Sequence, residues 1–374
     1  MKRVINLLTI CFLISFNSYA QEYVNDYGMK HPGIKFNPKH YICYKATSSL
    51  MVDGNLNEPS WENAEWTDYF QDIEGNKKPV PRFKTRAKML WDDNFLYIAA
   101  ELEEPHIWGT LTERDCVIYH DNDFEVFIDP DGDTHGYYEF EMNALNTVWD
   151  LLLLRPYRDH TAVLDHFNFN GLKTAVNIHG SINNSKDEDK KWTVEIAFPL
   201  DAFEINSGKK PADGVQWRIN FSRVEWQHEL VDGKYQRKIN PETQKRFRED
   251  NWVWSPQGKI AMHMPEMWGF LQFSEKEVGT GKDVFQFNGE EMIKWELRNI
   301  YYAQREYHKE NKHYAAGLKE LEQVGLNLKR LKYAPKLYVT PTEYEVTALN
   351  KKNGVVWHIN RLGKTWKTGD KKKK

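Results

Sequence analysis

The chain has 374 residues, with 51 Lys and Arg against 54 Asp and Glu and a formal net charge of −3, so no charge bias draws it to nucleic acid or another polyanion. Its 3 cysteines exclude a disulfide scaffold and a cysteine-rich metal cluster. Its 14 Trp, 19 Tyr and 19 Phe either fill the core of a sandwich or serve ligands such as sugars, whose C–H faces stack on aromatic rings.

The chain opens on Met1-Lys2-Arg3, an apolar run over 4–16 and Ser18-Tyr19-Ala20, the pattern of a signal peptide cleaved near Ala20. The run is too short to span a bilayer, and Ile10 before Cys11 departs from a lipoprotein signal. A secreted or periplasmic protein without a membrane span is expected, its mature chain of about 350 residues sized for about two domains. Residues 21–45 form an N-terminal segment; Cys43 and Cys116 either pair or stay lone thiols.

From 46 to 275 short alternating runs separated by turn residues predict an antiparallel β-sandwich. The runs 85–91 and 95–101 flank Asp92-Asp93-Asn94 as a hairpin. Asp123 to Asp129 and Tyr137 to Asn143 form a second hairpin around a Pro/Asp/Gly turn, with Phe124, Val126 and Ile128 on one face and mostly acids on the other. If Asp129 opposes Tyr137, Glu125 opposes Glu141, and directly opposed like charges destabilise a sheet unless something meets them. Further strands are predicted at 147–154, 171–178, 192–198 and 217–225. In the last, Trp217, Ile219 and Phe221 oppose Arg218, Asn220 and Ser222, so acids and a base can share one polar surface. The charged stretch 231–250 lacks period and reads as an exposed excursion.

Past Phe273 the pattern changes. Helical spacing of Ile293, Leu297, Ile300 and Gln304 predicts a helix over 290–307, which 314–321 extends after a break. Short strands are expected at 337–340, 344–348 and 355–360, so residues 284–369 form a small C-terminal α+β unit followed by a basic tail, 370–374.

Asp129, Asp131 and Asp133 offer hard oxygens around Gly132, which suits a structural calcium or simply an Asp/Gly turn; Asp53 and Glu58 are a second source of such ligands. Glu125, Glu139 and Glu141 are the acids a glycoside hydrolase would need as a pair, although exposed strand acids pair often without catalysis. Trp252 and Trp254 share a strand face as an aromatic platform or as core. The scattered His120, His135, His160, His166 and His179 lack metal-protease spacing, and no phosphate loop or nucleophile elbow occurs, so no transition metal or organic cofactor is expected. Nothing in the sequence fixes the oligomeric state.

Val52-Asp53-Gly54-Asn55-Leu56-Asn57-Glu58-Pro59-Ser60-Trp61, Leu90-Trp91-Asp92-Asp93-Asn94-Phe95-Leu96-Tyr97-Ile98, Asp123-Phe124-Glu125-Val126-Phe127-Ile128-Asp129, Trp192-Thr193-Val194-Glu195-Ile196-Ala197-Phe198-Pro199 and Trp268-Gly269-Phe270 resemble, in order, the landmarks of the family 9 carbohydrate-binding modules. The resemblance implies a DOMON-like β-sandwich, structural calcium, a place in carbohydrate catabolism, and a slot where two aromatic rings clasp a sugar while polar groups bond its hydroxyls. By position Glu125 matches the slot's glutamate, Trp252 or Trp254 its late tryptophan, Tyr119 its earlier tryptophan and Glu141 its arginine. The last two are departures, and a carboxylate in place of a guanidinium inverts the local charge. The expected ligand-binding set is Tyr119, Glu125, Glu141, Asn143, Arg218, Asn220, Trp252 and Trp254, binding a carbohydrate without catalysis. The alternatives are hydrolysis by the carboxylate pair and a sandwich that only scaffolds the C-terminal unit.

Overall fold

The computed structural model describes residues 23–160, 162–204 and 210–369; the expected signal peptide and basic tail lie outside the described residues. Alternating sequence becomes alternating burial. In β5 (Asp123–Asp129) and β6 (Tyr137–Asn143), Phe124, Val126, Ile128, Tyr138, Phe140 and Met142 all enter one apolar core, and the register pairs Glu125 with Glu141 as the sequence predicts.

The remaining strands are β1 (His40–Lys45), β2 (Gln71–Asp72), β3 (Thr85–Trp91), β4 (Phe95–Glu103), β7 (Val148–Leu153), β8 (Val163–Leu164), β9 (Lys173–His179), β10 (Lys191–Pro199), β11 (Gln216–Glu225), β14 (Asp250–Val253) and β15 (Gly269–Glu277). They form one sheet in the order β8-β7-β6-β5-β11-β15-β1-β3-β4-β10-β9, with β14 and β2 branching from β11. That sheet folds over into two layers. β11 gives Gln216 to Ile219 to β15 and Ser222 to Glu225 to β14, and across the interior Phe140 of β6 meets Phe198 of β10 at 5.3 Å. Trp192, Trp217, Phe221 and Phe273 fill the space between, each ring removing about 150–250 Å² from water. The pairing is antiparallel except at β1, which runs parallel to both β15 and β3. Cys43 is buried in this core and Cys116 is partly exposed; both are free thiols.

Part of the 231–250 excursion is ordered: β12 (His228–Val231) and β13 (Lys234–Arg237) make a separate hairpin. The C-terminal helix runs Glu290–Asn311, longer than predicted, and stops at left-handed Lys312, whose N–H bonds the His308 carbonyl at 2.8 Å. The expected continuation is a 3₁₀ turn, Leu318–Val324. A four-stranded antiparallel sheet follows, β16 (Lys336–Val339), β17 (Tyr344–Leu349), β18 (Val356–Asn360) and β19 (Thr365–Thr368), the last of which the sequence reading omits.

This unit docks on the sandwich. Ile293, Leu297 and Ile300 share a second apolar cluster with Val346, Ala348 and Ile359, while Tyr27, Met29, Met264 and Met267 close its other side. Trp295, Arg298 and Tyr302 are buried too, so the helix has two covered faces where the sequence reading places one. Among the described residues no helix is long and apolar enough to cross a membrane.

Candidate functional site

The side of β5, β6 and β11 turned away from the core carries Asp123, Glu125, Phe127, Asp129, Tyr137, Glu139, Glu141, Asn143, Arg218, Asn220 and Ser222, paired across the strands as Glu125 with Glu141 and Ser222, and Asp129 with Arg218. One end of this face is sealed. The guanidinium of Arg218 donates to the Trp268 carbonyl at 2.7 Å and to the Glu291 carboxylate of the C-terminal helix at 2.5 Å, and it lies 3.8 Å over the Phe270 ring. Arg218 is therefore a docking residue and not the expected ligand donor. The sequence reading left this surface open because the C-terminal unit lies beyond the resemblance.

Three further expectations are corrected by burial. Asn220 is fully buried and clamps Ser255, donating to its carbonyl at 2.9 Å and accepting its N–H at 2.9 Å. Asn143 is fully buried as well, donating to the Leu111 carbonyl and Asp121 and accepting the N–H groups of Leu145 and Thr147, so it fixes the β6–β7 turn. Trp252 and Trp254 belong to the sandwich core: β14 pairs with β11 so that Trp252 lies beside Arg223, while Trp254 packs on Phe221. The clasp expected between Tyr119 and one of these tryptophans is not formed.

What stays at the open end is an acidic floor. Glu125, Glu139 and Glu141 are each at most 6% exposed. Burial pushes the Glu125 carboxyl up to about 7. Burial first, and then the charge on Glu125, raises Glu139 and Glu141 well above the usual carboxylate range. His263 lies 3.9 Å from Glu139 but brings no charge, because burial and then Arg158 lower it to about 3.

Aromatic rings stand around this floor. Tyr119 is 39% exposed, and both peptide groups flanking its ring are fixed: its N–H donates to Glu141 at 3.0 Å and its carbonyl accepts from the Trp226 indole at 2.8 Å. Trp149 of β7 lies directly across from Glu141, half-buried, with its indole N–H on the Asp165 carbonyl at 3.2 Å. Tyr157 is 51% exposed and meets the His263 ring edge-on at 4.4 Å. Beyond Tyr157 and His263 the surface runs into a cleft of about 690 Å³ that also touches Arg158, Tyr302 and Glu310. The sequence reading missed Trp149 and Tyr157. Trp149 was available to it, since a ring one strand over from Glu141 on the same face follows from the hairpin register and the predicted 147–154 strand.

The aspartate turn is satisfied largely from within. Asp129 accepts the N–H groups of Gly132 and Thr134, Asp131 that of Asp133, and Asp133 that of His135. Lys364 pairs with Asp133 at 3.0 Å, Lys294 donates to the Gly132 carbonyl at 2.7 Å, and the Thr365 N–H reaches the Asp133 carbonyl. The turn is thus an anchor for the C-terminal unit, although its three carboxylates remain within 4.8 Å of one another. Near the domain start, Glu195 accepts from the Trp61 indole and from the N–H groups of Asp53 and Gly54, tying that landmark to β10.

Residues 52–276 match the family described as "Carbohydrate family 9 binding domain-like". No curated protein matches the chain. Among solved structures, a carbohydrate binding module family 9 from Caldicellulosiruptor kristjanssonii in complex with cellotriose aligns at 16% identity over 65% of this chain and 99% of that one, with a TM-score of 0.41. A carbohydrate binding module family 9 from the same organism in complex with glucose aligns at 16% identity over 66% of this chain and 100% of that one, TM-score 0.40. A putative carbohydrate-binding protein from Bacteroides uniformis ATCC 8492 aligns at 16% identity over 64% and 100%, TM-score 0.47.

Proposed function

The chain belongs to the carbohydrate family 9 binding domain-like family, a membership that supports a carbohydrate-binding role, and from that premise we propose that it binds a glycan on the open end of the β5–β6 face. Tyr119, Trp149 and Tyr157 stack on pyranose faces, and Glu125, Glu139 and Glu141 accept hydrogen bonds from sugar hydroxyls. The observation that carries this reading is the juxtaposition itself: exposed rings around a floor of buried carboxylates, with the Tyr119 loop held by Glu141 at 3.0 Å. Such preorganisation lowers the ordering cost of binding. We place the protein outside the cytoplasm, in the periplasm or secreted, with the pattern of residues 1–20 as support, and assign it to carbohydrate catabolism.

Isothermal titration against a panel of mono- and oligosaccharides tests this. At least one sugar is expected to bind wild type. Tyr119→Ala and Trp149→Ala are each expected to weaken that binding by about 1–2 kcal/mol, roughly 5–30-fold. Heat from no sugar, or unchanged affinity in both variants, contradicts the assignment. A second reading, glycoside hydrolysis, is favoured by one observation, the Glu125 carboxyl raised to about 7 beside further carboxylates, as a general acid requires. Release of reducing ends by wild type and its loss in Glu125→Gln would select that reading.

A further inference from the structure

Two walls of the acidic floor continue past it. His263 lies 3.9 Å from Glu139, Tyr157 meets the His263 ring edge-on, and both side chains also line the cleft of about 690 Å³. The Tyr157 hydroxyl senses the floor as well, since burial first, and then the charges on Glu139 and Glu141, push it up to about 12. Floor and cleft are therefore one continuous surface, with the exposed Tyr157 ring as the saddle between them. Segments far apart in sequence build the cleft: the sandwich supplies Tyr157 and the loop around His263, the N-terminal segment Met29, the C-terminal helix Tyr302 and Glu310, and the 3₁₀ turn after it Glu322. Its volume lies within the range of about 300–1,000 Å³ typical of small-molecule sites.

Its lining suits hydroxyls. Met29, Met264 and Tyr302 are buried and give it an apolar base. The charges at its back are already balanced: Arg158 donates to Glu266 at 3.0 Å and to the His263 carbonyl at 3.3 Å, the Tyr302 hydroxyl donates to Glu266, and Arg305 donates to Asp159 at 2.7 Å. No ionic ligand is called for there. At the mouth Lys259 offers donors, Glu310 and Glu322 acceptors and Gln323 both, and among the described residues none of these four side chains makes a hydrogen bond or ion pair. Donors and acceptors in balance over an apolar base fit a neutral, polyhydroxylated ligand better than an ion or a lipid.

We propose that the ligand is a linear oligosaccharide that passes over Tyr157 from the floor of Glu125, Glu139 and Glu141 into this cleft, so that the C-terminal unit completes the site. One sugar ring lies at Tyr119 and Trp149, the next crosses Tyr157, and a further one rests on Met264 and Tyr302 with its hydroxyls on Lys259, Glu310 and Glu322. This placement rests on the glycan binding proposed above and extends it from a single sugar to a chain.

Calorimetric titration of the full chain with a length series tests it: glucose, xylose and mannose, each followed by its β-1,4-linked oligomers up to the hexasaccharide. In the series that binds, affinity is expected to rise at least about 10-fold from monosaccharide to hexasaccharide. Tyr157→Ala should remove most of that rise, as should Glu310→Ala combined with Glu322→Ala. All three side chains are exposed, so these variants should melt close to wild type, which separates a lost subsite from a lost fold. Equal affinity at every length, or a rise that both variants leave intact, overturns the extended site, and monosaccharide binding weakened by Tyr119→Ala would then leave the glycan reading standing. Heat from no sugar removes the glycan reading and the extended site together.

Discussion

Glu141 shows what a single residue's chemistry can and cannot tell in advance. Its place opposite Glu125 followed from counting through a hairpin, yet its role, accepting the Tyr119 N–H and so aiming an exposed ring, depends on a loop 22 positions away in sequence. Asn143 and Asn220 misled for the opposite reason: amides on a polar strand face read as ligand donors until turn and strand neighbours claim every atom. Glu266 carries a residue-scale prediction. Burial alone would raise its carboxyl, but Arg158 and Arg298 together with the Tyr302 hydroxyl outweigh burial and hold it at about 2. Because the folded value lies below the unfolded one of about 4.3, its contribution is complete above that value and lost as pH falls toward 2. Glu266→Gln should therefore cost about 3–5 kcal/mol at neutral pH, since it leaves Arg158 buried and poorly paired, and the gap to wild type should narrow in melts taken from pH 5 down to pH 2. A gap constant with pH would refute the assignment.

At the scale of elements, periodicity located the strands well and faces less well. Alternation set β5, β6 and β10 with the right side inward, because each has one wholly apolar face, and β11 through Trp217, Ile219 and Phe221 before that face turns to Arg223 and Glu225. The run Asn251-Trp252-Val253-Trp254 is ambiguous: its tryptophan face suits an exposed platform or a core alike, and only its pairing to β11, with Val253 opposite Ser222, turns both tryptophans into the core. Gly269 is the other half of that packing, as a Cβ there would run into the Trp254 ring. Gly269→Ala should overpack the site and cost about 1–3 kcal/mol in chemical denaturation; an unchanged midpoint would show that Trp254 can yield. The aspartate turn illustrates a second limit, since its docking partners Lys294, Lys364 and Thr365 lie more than a hundred residues downstream.

For the molecule as a whole, the sandwich was legible as a fold and the C-terminal unit as a helix with strands, but their union was not. Apolar spacing assigns one buried stripe to the helix, whereas its second buried face is built from groups that sequence reads as polar: Glu291 on Arg218, Arg298 on Thr134 and the Gly363 carbonyl, Tyr301 on Asp159. Two pieces joined this way should not be separable. A chain ending at residue 283 leaves Arg218 without Glu291 and uncovers Met264 and Met267, and it is expected to lose at least about 3 kcal/mol, or roughly 6–12 °C in melting temperature; melting with the full chain would show the unit to be an appendage. Docking also confines the proposed ligand face to its Tyr119 end. A crystal structure with the oligosaccharide that titration identifies tests it most directly: a sugar ring is expected against Tyr119, Trp149 or Tyr157 with hydroxyls on the Glu125, Glu139 and Glu141 carboxylates, and a sugar seated on any other surface, with these rings bare, would contradict it.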